Sequence, residues 1–474
     1  MNKDNQLVKQ QPLIPVLVRQ EKLMVIENKI LAHRKQRIIF NFALEHSDLF
    51  KYYVSGYYPL SDYLIEKFKN KWIWIHHRYH NLSSNQFLPW SIELIEKYKD
   101  KWGWMNLSHN QSLPWSIELI EKYKDKWSWK SLGMRQSLPW SIELIEKFKD
   151  KWIWMNLSHN QSLPWTTELI EKYKDRWDWN AYYIESFNES LPWSIELIEK
   201  YEDKWGWESL SRTPLLPWSI ELIEKYKDKW DWKGLSWNQS LPWTTELIEK
   251  YKDKWNWNGY WRLNLSSNRS LPWSIELIEK YKDKWDWNEL SGNWSLPWSI
   301  ELIEKYEDKW DWSELSHNQS LPWTIVLIEK YKDKWNWRGL SSNQSLPYSI
   351  ELIEKYEDKW DWSELSGNQS LPYSIELIEK YEDKWNWEKL SFNESLPWSI
   401  ELIEKYEDKW ERGGLSFNES LPWSIELIEF IKYKYKGHTY LLRYYIYEKV
   451  FKPYLTDNLI DEIMQRIIEK ESVK

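Results

Sequence analysis

Residues 296–320 read LPWSIELIEKYEDKWDWSELSHNQS, and the chain repeats this 25-residue unit many times with small changes. Fifteen copies run from Pro59 to about Glu429, and eleven of the fourteen spacings between their leading prolines are 25 residues. A fixed period of this length is typical of a solenoid, in which each unit buries its apolar face against its neighbours. The sequence therefore predicts a repeat array without a single globular core.

Composition narrows the class of protein. The 474 residues include 42 Trp and 30 Tyr but no Cys, and the formal net charge is -8. The lack of Cys excludes disulfides and thiolate-ligated metals. The polar first residues are not typical of a secretory signal, and no stretch has the length of a membrane span. We therefore expect an intracellular, cytoplasmic protein that does not bind a membrane.

The first half of each copy has the pattern of an amphipathic helix. In the copy that begins at Leu88, Ser91 is a typical helix N-cap, and apolar residues follow it at helical period. The pattern predicts a helix that continues through Trp102, with Lys97 and Glu96 exposed. It places four apolar side chains in the core: Leu94, Ile95, Tyr98 and Trp102.

The second half of each copy is shorter. The sequence Asp311-Trp312-Ser313-Glu314 resembles a capping box and predicts one helical turn, of α or 3₁₀ type. Most copies then carry an Asn, such as Asn293, which we expect to bond backbone groups of its own turn or of the next coil. We interpret the Asn-x-Ser triplets formed there as turn chemistry, not as glycan acceptors.

These elements predict an all-α, right-handed solenoid of about 15 short repeats. The alternation of an α-helix with a short helical turn is similar to that of variant leucine-rich repeats. The array also resembles Trp-rich tandem-repeat proteins that are uncharacterised, so the resemblance implies no activity. The Leu-Ser-x-Asn fragment leaves an α/β leucine-rich-like solenoid as the alternative. That pattern, however, needs an apolar residue where this chain has Asn288 or Ser313.

The ends of the chain do not repeat. We predict an N-terminal helical cap at residues 1–58, the tandem-repeat solenoid at residues 59–429 and a C-terminal helical cap at residues 430–474, because exposed solenoid ends need closing.

Motifs of catalysis are not found in the sequence. It contains no Gly-rich phosphate loop and no nucleophile elbow. The carboxylate pair Glu93 and Glu96 recurs in nearly every copy, whereas an active site is assembled once. His76, His77 and His80 have a spacing that suits a metal, but no carboxylate completes the set. We expect neither an enzyme, nor a cofactor, nor a metal site.

Comparison of the copies separates a constant helix from variable positions. The residue before the second Trp and the residue after Leu-Ser both vary, and insertions occur at Ile75–Asn81, Asn180–Ile184 and Asn258–Asn264. We predict that another protein binds to this variable stripe, a recognition surface of the kind that solenoids present. Its candidate residues are His109, His159, Trp237, His317, Phe392 and Phe417, together with the insertion loops.

Two other functions stay open. One is a groove that binds a linear polymer, either single-stranded nucleic acid or glycan, by stacking on the Trp ladder. The low basicity of the chain disfavours nucleic acid, since phosphates are normally neutralised by clustered Lys and Arg. The other is a purely mechanical spacer.

Overall fold

The structure is a computed structural model that describes residues 14–76, 81–179, 188–259, 263–435 and 443–472. These residues form helices, turns and loops, and no β-strand occurs among them. Short helices follow one another at regular intervals along the repeats. The chain is therefore an all-α solenoid, as the sequence predicts, and the α/β alternative is wrong for the part of the chain described.

Each repeat begins with a helix of six residues. These first helices are Asp62–Lys67, Ile92–Lys97, Ile117–Lys122, Ile142–Lys147, Thr167–Lys172, Ile195–Lys200, Ile220–Lys225, Thr245–Lys250, Ile275–Lys280, Ile300–Lys305, Ile325–Lys330, Ile350–Lys355, Ile375–Lys380 and Ile400–Lys405. The predicted N-cap is confirmed, because the Ser91 hydroxyl accepts a hydrogen bond from the Leu94 amide at 3.1 Å. The helix nevertheless ends at Lys97, not at Trp102.

An indole explains why the first helix is shorter than predicted. The Trp102 indole N–H donates to the carbonyl oxygen of Ile95 at 3.2 Å, and the next turn of an α-helix would use that oxygen. The amide of Lys99 bonds instead to Glu96 at 3.3 Å, and the backbone turns at Tyr98. The predicted core is nevertheless confirmed, with Lys97 exposed and Glu96 half-buried. The four side chains assigned to it are buried: Leu94, Ile95, Tyr98 and Trp102.

A second short helix follows in most repeats. These second helices are Trp104–His109, Trp129–Gly133, Trp154–Ser158, Trp207–Arg212, Trp232–Trp237, Trp287–Ser291, Trp312–His317, Trp337–Ser342, Trp362–Gly367, Trp387–Phe392 and Arg412–Phe417, and a 3₁₀ turn at Leu82–Ser84 replaces them in the first repeat. The predicted helical turn is confirmed, and in most repeats it is α-helical.

The predicted capping box is only half formed. The Asp311 carboxylate accepts from the amides of Ser313 at 2.8 Å and Glu314 at 3.1 Å, as an N-cap should. The reciprocal bond is replaced by a contact between repeats, because the Asp311 amide donates to the hydroxyl of Ser291 in the preceding repeat.

Buried Asn side chains tie most repeats to the one before, and Arg135 and Thr213 replace the Asn in two copies. The amide nitrogen of Asn318 donates to the carbonyl oxygen of Ser291 at 2.9 Å, and its oxygen accepts from the Ser320 amide at 2.9 Å. Equivalent bonds join Asn293 to Ser266 and Asn343 to Ser316. The predicted bond within the turn is confirmed, and the coil that the Asn reaches is the preceding one and not the next.

The tryptophans pack between repeats. The ring of Trp287 lies 4.8 Å from Tyr306 and 4.9 Å from Trp310 of the next repeat, measured between centroids, and Trp298 lies 4.9 Å from Trp310. Such edge and tilted contacts add to the apolar area that the rings bury. The Trp ladder is therefore mainly a core that joins successive repeats.

The chain divides into two compact units, one comprising Met1–Pro114 with Pro422–Lys474 and the other comprising Trp115–Leu421. The first unit contains the helices Ile14–Glu45 and Ser47–Tyr57 from the beginning of the chain. From its end come Ile425–Tyr435, Tyr444–Ile446, a π-helical turn at Tyr447–Phe451, and Asp457–Ser472. The second unit consists of repeats alone.

Within the first unit the two ends of the chain share one core. The Phe451 ring lies 4.7 Å from Tyr53 and 5.6 Å from Phe42, and all three side chains are buried. At its rim Lys51 pairs with Glu471 at 2.9 Å. We call this contact the terminal joint. The sequence predicts two separate caps, and their boundaries at residues 58 and 430 stay a prediction.

Candidate interaction surface

Variation before the second Trp has a local explanation. This position is the N-cap of the second helix, and Asp286, Asp361 and Asn336 each accept a hydrogen bond from an amide of that helix. Gly103 and Ile153 stand at the same position without such a bond. The variation at this position therefore changes how well the helix is capped, which makes the position a poor indicator of a binding surface.

Five of the six candidate residues are exposed on the second helices, and Trp237 is half-buried. The three His side chains share one geometry, in which ring atom Nδ1 bonds the carbonyl oxygen four residues earlier. For His109 the partner is Met105 at 2.8 Å, and His159 and His317 repeat the arrangement. Because a carbonyl only accepts, Nδ1 carries the proton, which leaves Nε2 as an acceptor in the neutral ring.

Phe392 and Phe417 form an exposed aromatic pair in consecutive repeats. Their ring centroids are 6.1 Å apart, and 48% and 50% of the two residues' surfaces remain exposed. The loop that follows the second helix holds another aromatic group, since the Arg269 guanidinium lies 4.7 Å from the centre of the exposed Trp294 ring. Exposed rings in contact are unusual on a surface that needs none for folding.

The residue after Leu-Ser does not vary freely. A Cβ built on Gly339 would lie 2.8 Å from Cε1 of His317 in the preceding repeat, and one on Gly414 would lie 3.0 Å from Cδ2 of Phe392. These glycines occupy the third position of the second helix, and each receives a large side chain from the repeat before it.

The opposite pairing also occurs. Gly292 and Gly367 stand after Leu-Ser, and the repeats that follow them carry Glu314 and Lys389 at the third helix position. A Cβ built on Gly367 would lie 3.6 Å from Cδ of Lys389, an ordinary contact distance. In both arrangements a large side chain of one repeat faces a small residue of the neighbouring repeat, as close packing requires. The residue after Leu-Ser and the third residue of the next repeat's second helix therefore vary together. Comparing the copies one position at a time does not reveal this coupling.

The residue after the second Trp is an exposed variable position that the sequence analysis did not single out. Met105 and Met155 occupy it, with 71% and 61% of their surfaces exposed. Other copies place Lys233, Glu208 or Arg338 there, all exposed. Variation among copies was the available signal. Together with the residues after Leu-Ser, this position defines what we call the second-helix face.

The first helices carry a ladder of ion pairs along the second unit. Glu279 pairs with Lys305 of the next repeat at 3.0 Å and with Lys282 of its own at 3.0 Å. Glu307, which replaces a Lys, pairs with Lys334 at 2.5 Å. The extra Glu residues of the later repeats thus have partners, and they do not form an isolated acidic patch.

Hydrogen bonds in this ladder shift acid groups strongly. Bonds from Lys250, Tyr251 and Lys227 hold the pKa of Glu224 at about 2. Burial would raise the pKa of a carboxylate, so the lowered value reflects charge-assisted hydrogen bonds.

The described residues include part of the first and third insertion loops. His76 contacts the Tyr52 hydroxyl at 3.0 Å, while His77 and His80 lie outside the described residues, as does Asn180–Ile184. In the third insertion the Asn264 side chain donates to the Gly259 carbonyl at 3.0 Å. The described parts are therefore held by local hydrogen bonds.

One group among the described residues could hold a metal ion. Glu45, His46 and Glu429 each offer one ligand atom, and these atoms lie within 4.8 Å of one another. Two carboxylates and an imidazole are ligands that divalent transition metals accept. The expectation of no metal site stays a prediction.

No protein-family model, curated protein or solved structure matches this chain. Among the residues that the structure describes, none of the helices is both long and apolar enough to cross a lipid bilayer.

Proposed function

We propose that the chain is a non-enzymatic scaffold that binds another protein through its second-helix face. The observation that carries the proposal is the aromatic pair Phe392 and Phe417, half exposed on consecutive repeats. Exposed aromatic rings are enriched in the energetic centres of protein interfaces. The methionines Met105 and Met155 add adaptable apolar surface of the same kind.

The second-helix face suits a binding role better than the Trp ladder does. Trp310 and its equivalents are buried, and Trp287 is half-buried under the Lys309 ammonium group, which lies 5.1 Å from the ring centre. A base or a sugar needs an open ring face to stack on. This packing favours the protein-binding proposal over a polymer groove along the ladder.

The test compares a variant that loses two exposed aromatic rings with a control that loses an exposed aliphatic side chain. Changing Phe392 and Phe417 to Ser places the residue of Ser342 at both positions, and the gap that this leaves beside Gly414 is monitored by the melting temperature. The control is Val326→Glu, which removes an exposed side chain from a first helix and restores the Glu of the other copies. We expect the double variant, at a temperature where it is still folded, to weaken capture of a partner identified by cross-linking by about tenfold or more.

The control should bind that partner as the unchanged chain does. Equal capture by the double variant would refute a role for the aromatic pair. If the control lost binding to the same extent, the binding surface would lie on the first helices.

An intracellular, cytoplasmic location belongs to the same proposal. Asn318 begins an Asn-Gln-Ser triplet, yet it is buried, and the nitrogen to which a glycan would attach donates to Ser291. Asn293 and Asn343 have equivalent bonds. Glycosylation at these positions is incompatible with the packing, which supports a compartment without that chemistry. Cell fractionation tests the location directly.

A further inference from the structure

The first compact unit contains an open cleft of about 490 Å³, which shares Ser84 and His109 with the second-helix face. Its walls come from both ends of the chain, with Tyr57 from one end and Tyr444 from the other, and from the loops of the first repeats. Ligand sites in proteins typically measure about 300–1,000 Å³ and combine apolar walls with a few polar groups. The size of this cleft falls within that range.

Phe87 lines the cleft at a position where the other repeats carry Ser, except for Leu215 in one copy. The copies that follow read Asn-x-Ser, with Ser112 and Ser162 at the equivalent position, whereas the first repeat reads Asn-Gln-Phe. The backbone is the same in both, because the Phe87 amide donates to Asn85 at 2.8 Å and the Ser112 amide to Asn110 at 2.9 Å. The turn therefore does not require the aromatic ring.

Phe87 and Tyr444 together present ring surface to the cleft. Their planes are inclined by only 5°, the centroids are 5.9 Å apart, and 45% and 40% of the two residues' surfaces are exposed. Parallel, partly open rings provide a platform for the flat apolar face of a ligand.

The polar groups of the cleft are neutral amides, a hydroxyl and an imidazole. Gln86, Asn106 and His109 supply donors and acceptors, and Nε2 of His109 is the acceptor because Nδ1 bonds Met105. The described residues that line the cleft include no Lys, Arg, Asp or Glu. Outside this set of residues, the charge of Arg443 acts on Tyr57 in the wall of the cleft.

We propose that this cleft binds a neutral saccharide. The apolar face of a sugar ring lies on Phe87, and the sugar hydroxyls bond Gln86, Asn106 and His109. The proposal rests on residues of the first unit and does not depend on protein binding by the aromatic pair of the second unit. No covalent step is involved.

The test is ligand-observed NMR and calorimetry on the full chain with named probes. The neutral probes are maltose, cellobiose and N,N′-diacetylchitobiose, and adenosine serves as a planar ligand of another class. We expect at least one saccharide to bind with a dissociation constant in the millimolar range or below. Saturation transfer should be strongest for the protons on one face of its ring.

The decisive variant is Phe87→Ser, which restores the residue of the other copies. It should weaken saccharide binding about tenfold, the effect of losing contact with roughly 55 Å² of apolar ring surface. The control Phe392→Ser removes an equally exposed ring from the second unit and should leave the saccharide affinity unchanged. If Phe87→Ser lowers the melting temperature, Gln86→Ala on the exposed loop provides the same comparison.

Three results would overturn the proposal. They are the binding of none of the three saccharides in the millimolar range, unchanged affinity in both Phe87→Ser and Gln86→Ala, and a preference for adenosine over every saccharide.

Discussion

Replacement of Asn318 by Ala should weaken the contact between two neighbouring repeats. The substitution removes the donor 2.9 Å from the Ser291 carbonyl oxygen, a buried group, and the acceptor of the exposed Ser320 amide. An unsatisfied buried carbonyl costs about 1–3 kcal/mol, whereas water can replace the bond at Ser320. With about 1 kcal/mol for the lost turn bond, we expect local stability to fall by roughly 2–4 kcal/mol.

Hydrogen exchange followed by mass spectrometry measures this change where it occurs. Amides between residues 291 and 320 should exchange roughly 30-fold faster or more, since each 1.4 kcal/mol is a factor of ten. A local measurement is preferable because a repeat array need not unfold in one step. The control is Gln319→Ala, a change at an exposed neighbouring position.

A second substitution separates the two functions of the Asn side chain. Thr213 stands at the equivalent position in another copy, where its hydroxyl accepts from the Leu215 amide at 3.3 Å. Asn318→Thr should therefore keep the turn bond, lose the bond to the preceding repeat and give an intermediate acceleration. Less than about threefold acceleration in the Ala variant would refute the idea that buried Asn side chains hold the repeats together. Equal effects of Thr and Ala would show that the turn bond contributes nothing.

Three further outcomes are expected. Gly339→Glu should lower stability by about 1–3 kcal/mol through overlap with His317 and with Ser316. Adding His317→Gly should restore only the His317 part of this loss. Thermal melts of both single variants and the double variant give the coupling, and additive losses would contradict it. The pKa of Glu224 is about 2 in the fold and 4.5 when unperturbed. Its contribution to stability is therefore present above about pH 4.5 and is lost as the pH falls towards 2. Thermal melts across this range should show a steeper fall in the melting temperature for the unchanged chain than for Glu224→Gln. Val326→Glu should raise stability by about 0.3–1 kcal/mol, since a carboxylate suits the first helical turn, and a lower melting temperature would count against this.

The local parts of the fold could be predicted from the sequence because they depend on near neighbours. The N-cap at Ser91 and the buried stripe follow from residue type and helical period. The early end of the first helix could not be predicted in the same way, since the Trp102 indole competes for the Ile95 carbonyl from seven residues away. Helical period alone does not reveal such a competition.

The candidate surface was predictable in part. Variation among copies identified Phe392 and Phe417, which are exposed, but it did not distinguish them from the capping position of Asp311. The coupling between His317 and Gly339 was present in the sequence and required comparison of each copy with the next. The cleft beside Phe87 depends on Tyr444, more than 300 residues away, and no local pattern predicts that contact.

The terminal joint affects how the chain folds during its synthesis on the ribosome. Most contacts of the array connect neighbouring repeats, so each repeat can fold soon after it emerges. Tyr53 and Phe42 instead make their contacts with Phe451 only after about 400 more residues have been synthesised. At about 5–20 residues per second, their apolar rings stay exposed for roughly 20–80 s. The N-terminal helices Ile14–Glu45 and Ser47–Tyr57 are therefore the segment most in need of a chaperone during synthesis.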